Sequence, residues 1–457
     1  MRFYSLLLGL MVSLGSMAQT TYYVSKSGSA TNDGLSWATA KNFIKNALTV
    51  AQDGDIIKVA KGTYADGATI TVAKSVTIKG GYDPETDTQD YDNPSELTRI
   101  GGNGRIMSFS AAGKTLTLEN LLFASGKSDQ GAALQAVFNG MQNTDGIVIN
   151  RCRFNNNTST AGFGGAIMAM RVPVKLSHCI FSNNTTATSG AVFLKYGAAE
   201  LINCLFSNNN STDDAGALYY YGTSLKVVNS TFVGNRATDV SKAQGGAIAL
   251  FSDANVTSNI ELSNSILWGN TAAKEAGQVY ALNDIQIQLT SNIIQGGRAD
   301  ILIGARAAVN YTTDAATDAS DTDPLFEDAD AEDYRLKSNS TAIDAGNDDK
   351  ATDITTDLSG KARKSGTAVD LGVYEYDSTA TSINATSTTS ETLHYDVITK
   401  TLHVNRAGIA QDVLSIYQVN GSLLRNKNLN DTIIYVGDLP SGIYIVKVGN
   451  AVMKLAL

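Results

Sequence analysis

The chain has 457 residues, a formal net charge of −9, 17% charged residues, 41 Gly and only 5 Pro. Its 43% hydrophobic content is enough for a sizeable core, which excludes general disorder. The acidic balance argues against a dedicated nucleic-acid binder, and 3 Cys and 3 His leave little for a disulfide framework or a His-rich metal centre.

The first element is a targeting segment. Arg2 precedes an apolar run from Tyr4 to Leu14, and Ser16-Met17-Ala18 has the small-x-small form of a cleavage site. Residues 1–18 are therefore expected to be a signal peptide, with the mature chain starting at Gln19 and exported. The run is too short for a transmembrane span, and none is expected elsewhere. Next, Ala38–Ala51 has helical spacing at Phe43, Ala47 and Val50. A short helix there would cap the apolar end of a solenoid. Alternating strands follow in Gly54–Tyr64 and Val76–Tyr82.

From residue 147 the chain repeats about every 26 residues. Phe154, Phe181, Phe206 and Phe232, with Leu267 as a degenerate copy, each precede an Asn by three positions: Asn157, Asn184, Asn209, Asn235 and Asn270. Leu121-Leu122-Phe123 is a weaker earlier copy. The last unit carries an insertion near residues 236–258. Ahead of each Phe, aliphatic residues at −7 and −5 flank a charged one in most copies (Lys175, Glu200, Lys226, Glu261), the two-residue period of a strand. Arg151, His178, Asn203, Asn229 and Asn264 stand at −3. Asn tolerates left-handed backbone, so a tight bend is expected there. Cys152, Cys179 and Cys204 share the −2 column, where stacked free thiols are expected.

After a loop of variable length each unit restarts with Gly and an aliphatic: Gly164-Gly165-Ala166-Ile167, Gly190-Ala191-Val192, Gly216-Ala217-Leu218, Gly245-Gly246-Ala247-Ile248 and Gly277-Gln278-Val279. Short strands, fixed bends and one variable loop describe a coil. Stacked coils give a right-handed parallel β-helix in which the Asn column becomes a structural ladder of amides.

With the aliphatic pointing inward, the next position points outward: Met168, Phe193, Tyr219, Ala249 and Tyr280. Two residues on, Met170, Lys195, Tyr221, Phe251 and Leu282 do the same. A solvated face should be polar. Met168, Phe193, Tyr219, Tyr221, Phe251 and Tyr280 are therefore candidate ligand-binding residues, since rings on a flat sheet can stack on sugars or anchor a protein. The competing reading is that a segment such as 305–322, or the tail, covers them. No catalytic residues are assigned. Asp213 and Asp214 fit a solvated loop, and Asp344, Asp370 and Glu375 a structural role.

The FxxN and Gly-Gly-Ala-aliphatic pairing over roughly residues 120–285 resembles the repeats of chlamydial polymorphic outer membrane proteins and related bacterial β-helix surface proteins. The membrane barrel of such autotransporters has no counterpart here. The opening, from Tyr22 through Trp37 to Tyr82, is similar to that of secreted proteins with a pectate-lyase-like fold. That resemblance implies polysaccharide lyase or hydrolase activity as the alternative to a non-catalytic adhesin or glycan-binding role. A passive surface-layer component is a third reading.

Residues 321–376, with Asp323-Pro324-Leu325-Phe326 and Asp370–Glu375, resemble a C-terminal β-helix segment found ahead of surface anchors. About twelve coils at roughly 4.8 Å spacing are expected between residues 55 and 376. No cofactor is expected, with Ca²⁺ the one cation that the Asp-Gly turns of this segment could take. Residues 377–392 read as a Ser/Thr-rich linker. Residues 393–457 read as a small Ig-like β-sandwich with turns at Asn420-Gly421 and Pro440-Ser441-Gly442. Their Leu439–Tyr444 and Lys454–Leu457 stretches resemble the type IX secretion C-terminal sorting domain of Bacteroidota. This implies passage across the outer membrane by that machinery and attachment at the cell surface, with a glycan or a host or cell-surface protein as partner.

Overall fold

A computed structural model describes residues 19–99, 103–141, 146–253 and 255–376, and in the tail the seven strands between residues 392 and 456 with a few of their neighbours. The signal peptide assigned to residues 1–18 and the linker residues 377–391 lie outside the described residues. Contacts divide the chain into one unit ending at Asp377 and a second beginning at Ser378.

The first unit is a parallel β-helix. One coil runs through Val174–Ser177, Ile180–Ser182, Thr185–Thr186 and Val192–Lys195 before entering the next at Ala199–Ile202. Each strand pairs in parallel with its counterpart one coil on, Val174 with Ala199, Phe181 with Phe206, Val192 with Leu218. Four sheets result, numbered 1 to 4 in that order within a coil. Sheet 1 is the longest, its parallel path running from Thr21–Val24 to Ala308–Tyr311. The helix expected over Ala38–Ala51 is confined to Ile44–Val50. It buries Ile44, Ala47 and Leu48 against the first coil, where bare apolar side chains would otherwise meet water.

The repeat columns become vertical stacks. Phe123, Phe154, Phe181, Phe206 and Phe232 are fully buried, with successive centroids 4.9, 4.7, 4.7 and 4.6 Å apart and planes within 9° of parallel. Beside them runs the amide ladder. The Nδ2 of Asn157 donates to Asn184 Oδ1 at 3.0 Å, Asn184 to Asn209 at 2.9 Å, Asn209 to Asn235 at 2.9 Å and Asn235 to Asn270 at 2.8 Å. Each also donates to a Phe carbonyl, as Asn209 does to Phe181 at 2.9 Å, so a bend sealed from water keeps its polar groups paired. The −3 column is left-handed throughout, with φ between 47° and 54° from Arg151 to Asn264. Cys152, Cys179 and Cys204 are buried and free. Burial pushes the Cys152 and Cys204 thiols up.

The coil stack does not continue through residues 321–376. After Tyr311 comes one turn of helix, Ala315–Asp318, capped by the Asp314 carboxylate. The chain then turns back as a lateral strap. It contains one antiparallel hairpin, Phe326–Asp328 with Asp333–Leu336, and otherwise irregular backbone. Phe326, Tyr334, Leu336, Leu371 and Val373 bury Leu205, Val233, Ile266 and Ile293 of sheet 2. The left-handed bend column supplies the polar half of this joint. Asn203 Nδ2 donates to the Thr356 carbonyl at 2.7 Å, Asn229 to Asp370 at 3.1 Å and Asn264 to Asn347 at 3.0 Å, while His178 Nε2 lies 3.1 Å from the Thr356 carbonyl. The Phe and Asn columns end at Leu267 and Asn270; one more coil stacks on them, with Ile294 paired to Leu267, before sheet 1 ends at Ala308–Tyr311.

The second unit is antiparallel. A sheet of Thr392–Asp396, Thr401–Asn405 and Ile433–Tyr435 and another of Val413–Gln418, Leu423–Asn428, Ile443–Val448 and Ala451–Ala456 share one core. Leu402, Ile434 and Val436 of the first pack with Leu414, Ile416, Tyr444 and Val446 of the second, the two-layer arrangement of a sandwich. Among the described residues no helix is long and apolar enough to cross a membrane.

Candidate functional site: the outer face of sheet 4

Sheet 4 sets two outward rows in register. Met168, Phe193, Tyr219, Ala249 and Tyr280 form one, and Met170, Lys195, Tyr221, Phe251 and Leu282 the other. Their inward neighbours, Ile167 and Ala169 through Val279 and Ala281, belong to the core.

The two rows differ in exposure. The first stacks on itself: Phe163 on Phe193 at 4.4 Å, Phe193 on Tyr219 at 4.7 Å, and Tyr219 on Phe251 at 4.8 Å across to the second row. The Gly-led loop of each coil then closes over it. At left-handed Gly190 and Gly245 a Cβ would stand 3.2 and 3.1 Å from the Cβ atoms of Tyr219 and Tyr280. Met168, Phe193 and Tyr280 are only 5%, 3% and 8% exposed, so these three present no side-chain face to a ligand. The variable loops provide this cover. Segment 305–322 instead completes the last coil and its terminal turn. Tyr219 is half-buried.

The second row reaches solvent where sheet 4 turns into sheet 1. Tyr196 and Tyr221 stand with ring centroids 5.2 Å apart and planes 53° apart, and Phe251 lies 6.4 Å beyond Tyr221. Beside the touching rings of Tyr196 and Tyr221, which line it, is a cleft of about 140 Å³, floored by Gly197, Ala198 and Gly222 and walled by Met141, Asp253 and Val256. The floor needs small residues. A Cβ on Gly197 would strike the Val172 carbonyl, and one on Gly222 would strike the Tyr220 hydroxyl. Tyr220 points inward and braces the turn by donating to Ser224 O at 2.6 Å; burial pushes its phenol up to about 12.

Tyr221 Oη donates to the exposed Asp253 carboxylate, and that bond, with burial, raises its pKa well above the usual phenol value, so it remains protonated. Outside the cleft lining, Lys195 Nζ lies 4.8 Å from the Tyr196 centroid and 4.5 Å from the Tyr221 centroid. The Arg171 guanidinium lies 5.5 Å from the Tyr196 ring. Met141 and Val256 at the rim are 57% and 40% exposed.

Of the sequence candidates, this cleft gathers Tyr221, with Phe251 beside it. Tyr196, Asp253 and Met141 were missed by reading the strand rows alone. The signal for Tyr196 was present: a Tyr-Gly pair recurs in two consecutive coils, Tyr196-Gly197 just after one strand and Tyr221-Gly222 at the end of the next.

Charged groups singled out in the sequence are engaged elsewhere. Lys226 pairs with Glu200 at 3.6 Å and Lys350 with Glu261 at 2.9 Å on the outside of sheet 1. Within the segment whose turns were considered for Ca²⁺, Asp357, Asp370 and Glu375 accept backbone N–H groups from Lys361, Asp344 and Ser365 at 2.9, 2.7 and 3.0 Å. Among the described residues no three His, Cys, Asp or Glu side chains converge as a cation site.

No family model matches the chain, and no curated protein does. Solved structures similar to it include pectate lyase Pel9A, at 15% identity and TM-score 0.39 over 79% of this chain and 98% of that one. A pectin methylesterase in complex with a hexasaccharide follows at 12% identity and TM-score 0.28, covering 70% and 96%. A pectin methylesterase from Aspergillus niger is at 13% identity and TM-score 0.25, covering 67% and 91%.

Proposed function

We propose that this is an exported, surface-attached β-helix protein that binds glycans without cleaving them, an adhesin or glycan-capture protein. The observation that carries the reading is the open cleft lined by the tilted rings of Tyr196 and Tyr221. Aromatic faces offer apolar area to the C–H face of a sugar, and their two torsions cost little ordering entropy. With the Tyr221 proton given to Asp253, the pair offers acceptor oxygens to sugar hydroxyl groups. Export rests on the apolar run and cleavage site before Gln19. Surface attachment through type IX secretion machinery rests on the Leu439–Tyr444 and Lys454–Leu457 stretches of the sandwich.

The test is size-exclusion chromatography of the mature protein with a panel of polysaccharides, with and without Ca²⁺. The reading expects at least one polymer to co-elute with the protein at unchanged length. A polymer that shortens would replace it with the lyase or hydrolase reading. Failure of all to co-elute would leave a protein partner or a passive surface role.

A further inference from the structure

The left-handed bend column holds the strap by a repeated bond. Asn203, Asn229 and Asn264 each donate a side-chain N–H to a strap carbonyl. An amide carries the same charge at every pH, so those bonds do not respond to acid. His178 stands in the same column and faces the Thr356 carbonyl with Nε2 at 3.1 Å. It is the one member of the column whose charge changes near neutral pH.

Its surroundings accept only the neutral ring. Nδ1 is sealed from solvent and has no hydrogen-bond partner. With the Nε2 proton given to Thr356, Nδ1 keeps a bare lone pair, and a second proton there would find no acceptor. Asn203 Nδ2, itself a donor, stands 3.0 Å from Nε2. The charged groups facing the ring are Arg151 from the preceding coil and Arg363 and Asp357 from the strap. Arg151 donates to Thr356 Oγ1 at 3.2 Å, and Arg363 lies 3.5 Å from Asn203 Oδ1. Asp357 already accepts the backbone N–H groups of Lys361 and Glu375. Burial, and behind it the two guanidiniums, hold the imidazole below its usual 6.5 against the pull of the Thr356 carbonyl and Asp357.

The ring grips the tip of the strap. Thr356 and Ala362 bridge as the base of a small antiparallel hairpin. Ser359 and Gly360 at its end form one wall of a polar cleft of about 640 Å³, lined also by Asp90, Tyr91 and Arg151.

We infer that His178 is an acid-sensitive latch: gaining a proton at Nδ1, it frees hairpin 356–362 from the coils and opens that wall of the polar cleft. A base whose pKa is lowered by folding contributes stability that is full above its unfolded value. That stability is lost as pH falls below 6.5 toward the folded value. The closed hairpin is therefore the neutral-pH state and the open one the acid state. This holds whether or not the cleft on sheet 4 takes a glycan.

The test is amide hydrogen exchange of the mature full chain at neutral and acid pH, corrected for intrinsic rates. The reporter is segment 355–363, where Asp357, Leu358 and Arg363 have N–H groups bonded within the strap. Its exchange should rise about threefold or more between about pH 7 and about pH 4.5, while the Asn ladder stays protected. His178→Asn installs the residue that the column uses in the next three coils, and should keep the segment protected at both pH values. The chain has 3 His, so the ring's own titration can be followed by NMR, the His178 signal being the one missing from the variant. It should titrate below 6.5. The exchange comparison and the titration use the unaltered chain, so either can overturn the inference even if the variant folds poorly. No rise in exchange at acid pH overturns it, and so does a His178 signal titrating at or above 6.5. An equal rise in His178→Asn also overturns it and assigns the acid response to the strap carboxylates.

Discussion

The Arg363 guanidinium meets the Glu375 carboxylate at 2.7 Å with side chains 1% and 2% exposed, immediately before the chain leaves the β-helix unit. Arg363 also donates to the carbonyls of Gly372 and Asp370 at 3.0 and 3.1 Å. Burial pushes the Glu375 carboxyl up to about 7 against the pull of Arg363. The pair pins the strap where everything downstream is tethered. Removing one partner leaves a buried charge alone, so Arg363→Ala should cost about 3–5 kcal/mol. Limited proteolysis of the variant should cut within 321–376 before the coils. Unchanged protection of the strap would show that its apolar contacts suffice.

The amide ladder gives a second expectation. Asn209 Oδ1 accepts from the Asn184 backbone and side chain at 3.0 and 2.9 Å, and its Nδ2 serves Phe181 and Asn235. Asn209→Ala orphans groups on both neighbouring coils. The cost should be roughly 2–4 kcal/mol in chemical denaturation, more than for an exposed Asn. A loss near zero would mean that water replaces the amide.

Asp214 supplies a pH dependence. It sits in the loop beside the first aromatic row, accepts from the Gln244 N–H at 3.1 Å, and is raised by burial to about 6 from 3.8. A carboxyl raised on folding contributes stability that is full below its unfolded value and lost as pH rises through its folded value. The wild type should therefore lose about 1–2 kcal/mol between pH 4 and 6, after discounting for partial exposure. Asp214→Asn keeps the acceptor and should flatten that loss. Parallel melting curves of the two proteins across this range would contradict the assignment.

Much of the coil was legible because each coil repeats its physics. Phe154 to Phe232, the Asn ladder and the −3 bends recur in sequence because they stack in space. The strap was not legible in the same way. His178 and Thr356, or Asn264 and Asn347, are joined across long separations with no period to reveal them. Their Asn and His side chains read equally well as bend formers. The cleft was half legible: Tyr221 and Phe251 follow from strand alternation, whereas Tyr196 lies in the turn after its strand and Asp253 reaches Tyr221 from the next coil. Exposure could not be read from alternation, because cover by the variable loops depends on backbone geometry at Gly190 and Gly245.

The most direct test of glycan capture is affinity electrophoresis of the mature chain through gels containing whichever polysaccharide it retains, compared with Tyr196→Ala plus Tyr221→Ala. Neither ring is fully buried, so the double variant should fold, checked by its melting temperature. The account predicts that retardation falls by about tenfold or more in apparent affinity, the loss of two stacking platforms. Retardation unchanged in the folded double variant would contradict it and move the binding surface away from this cleft.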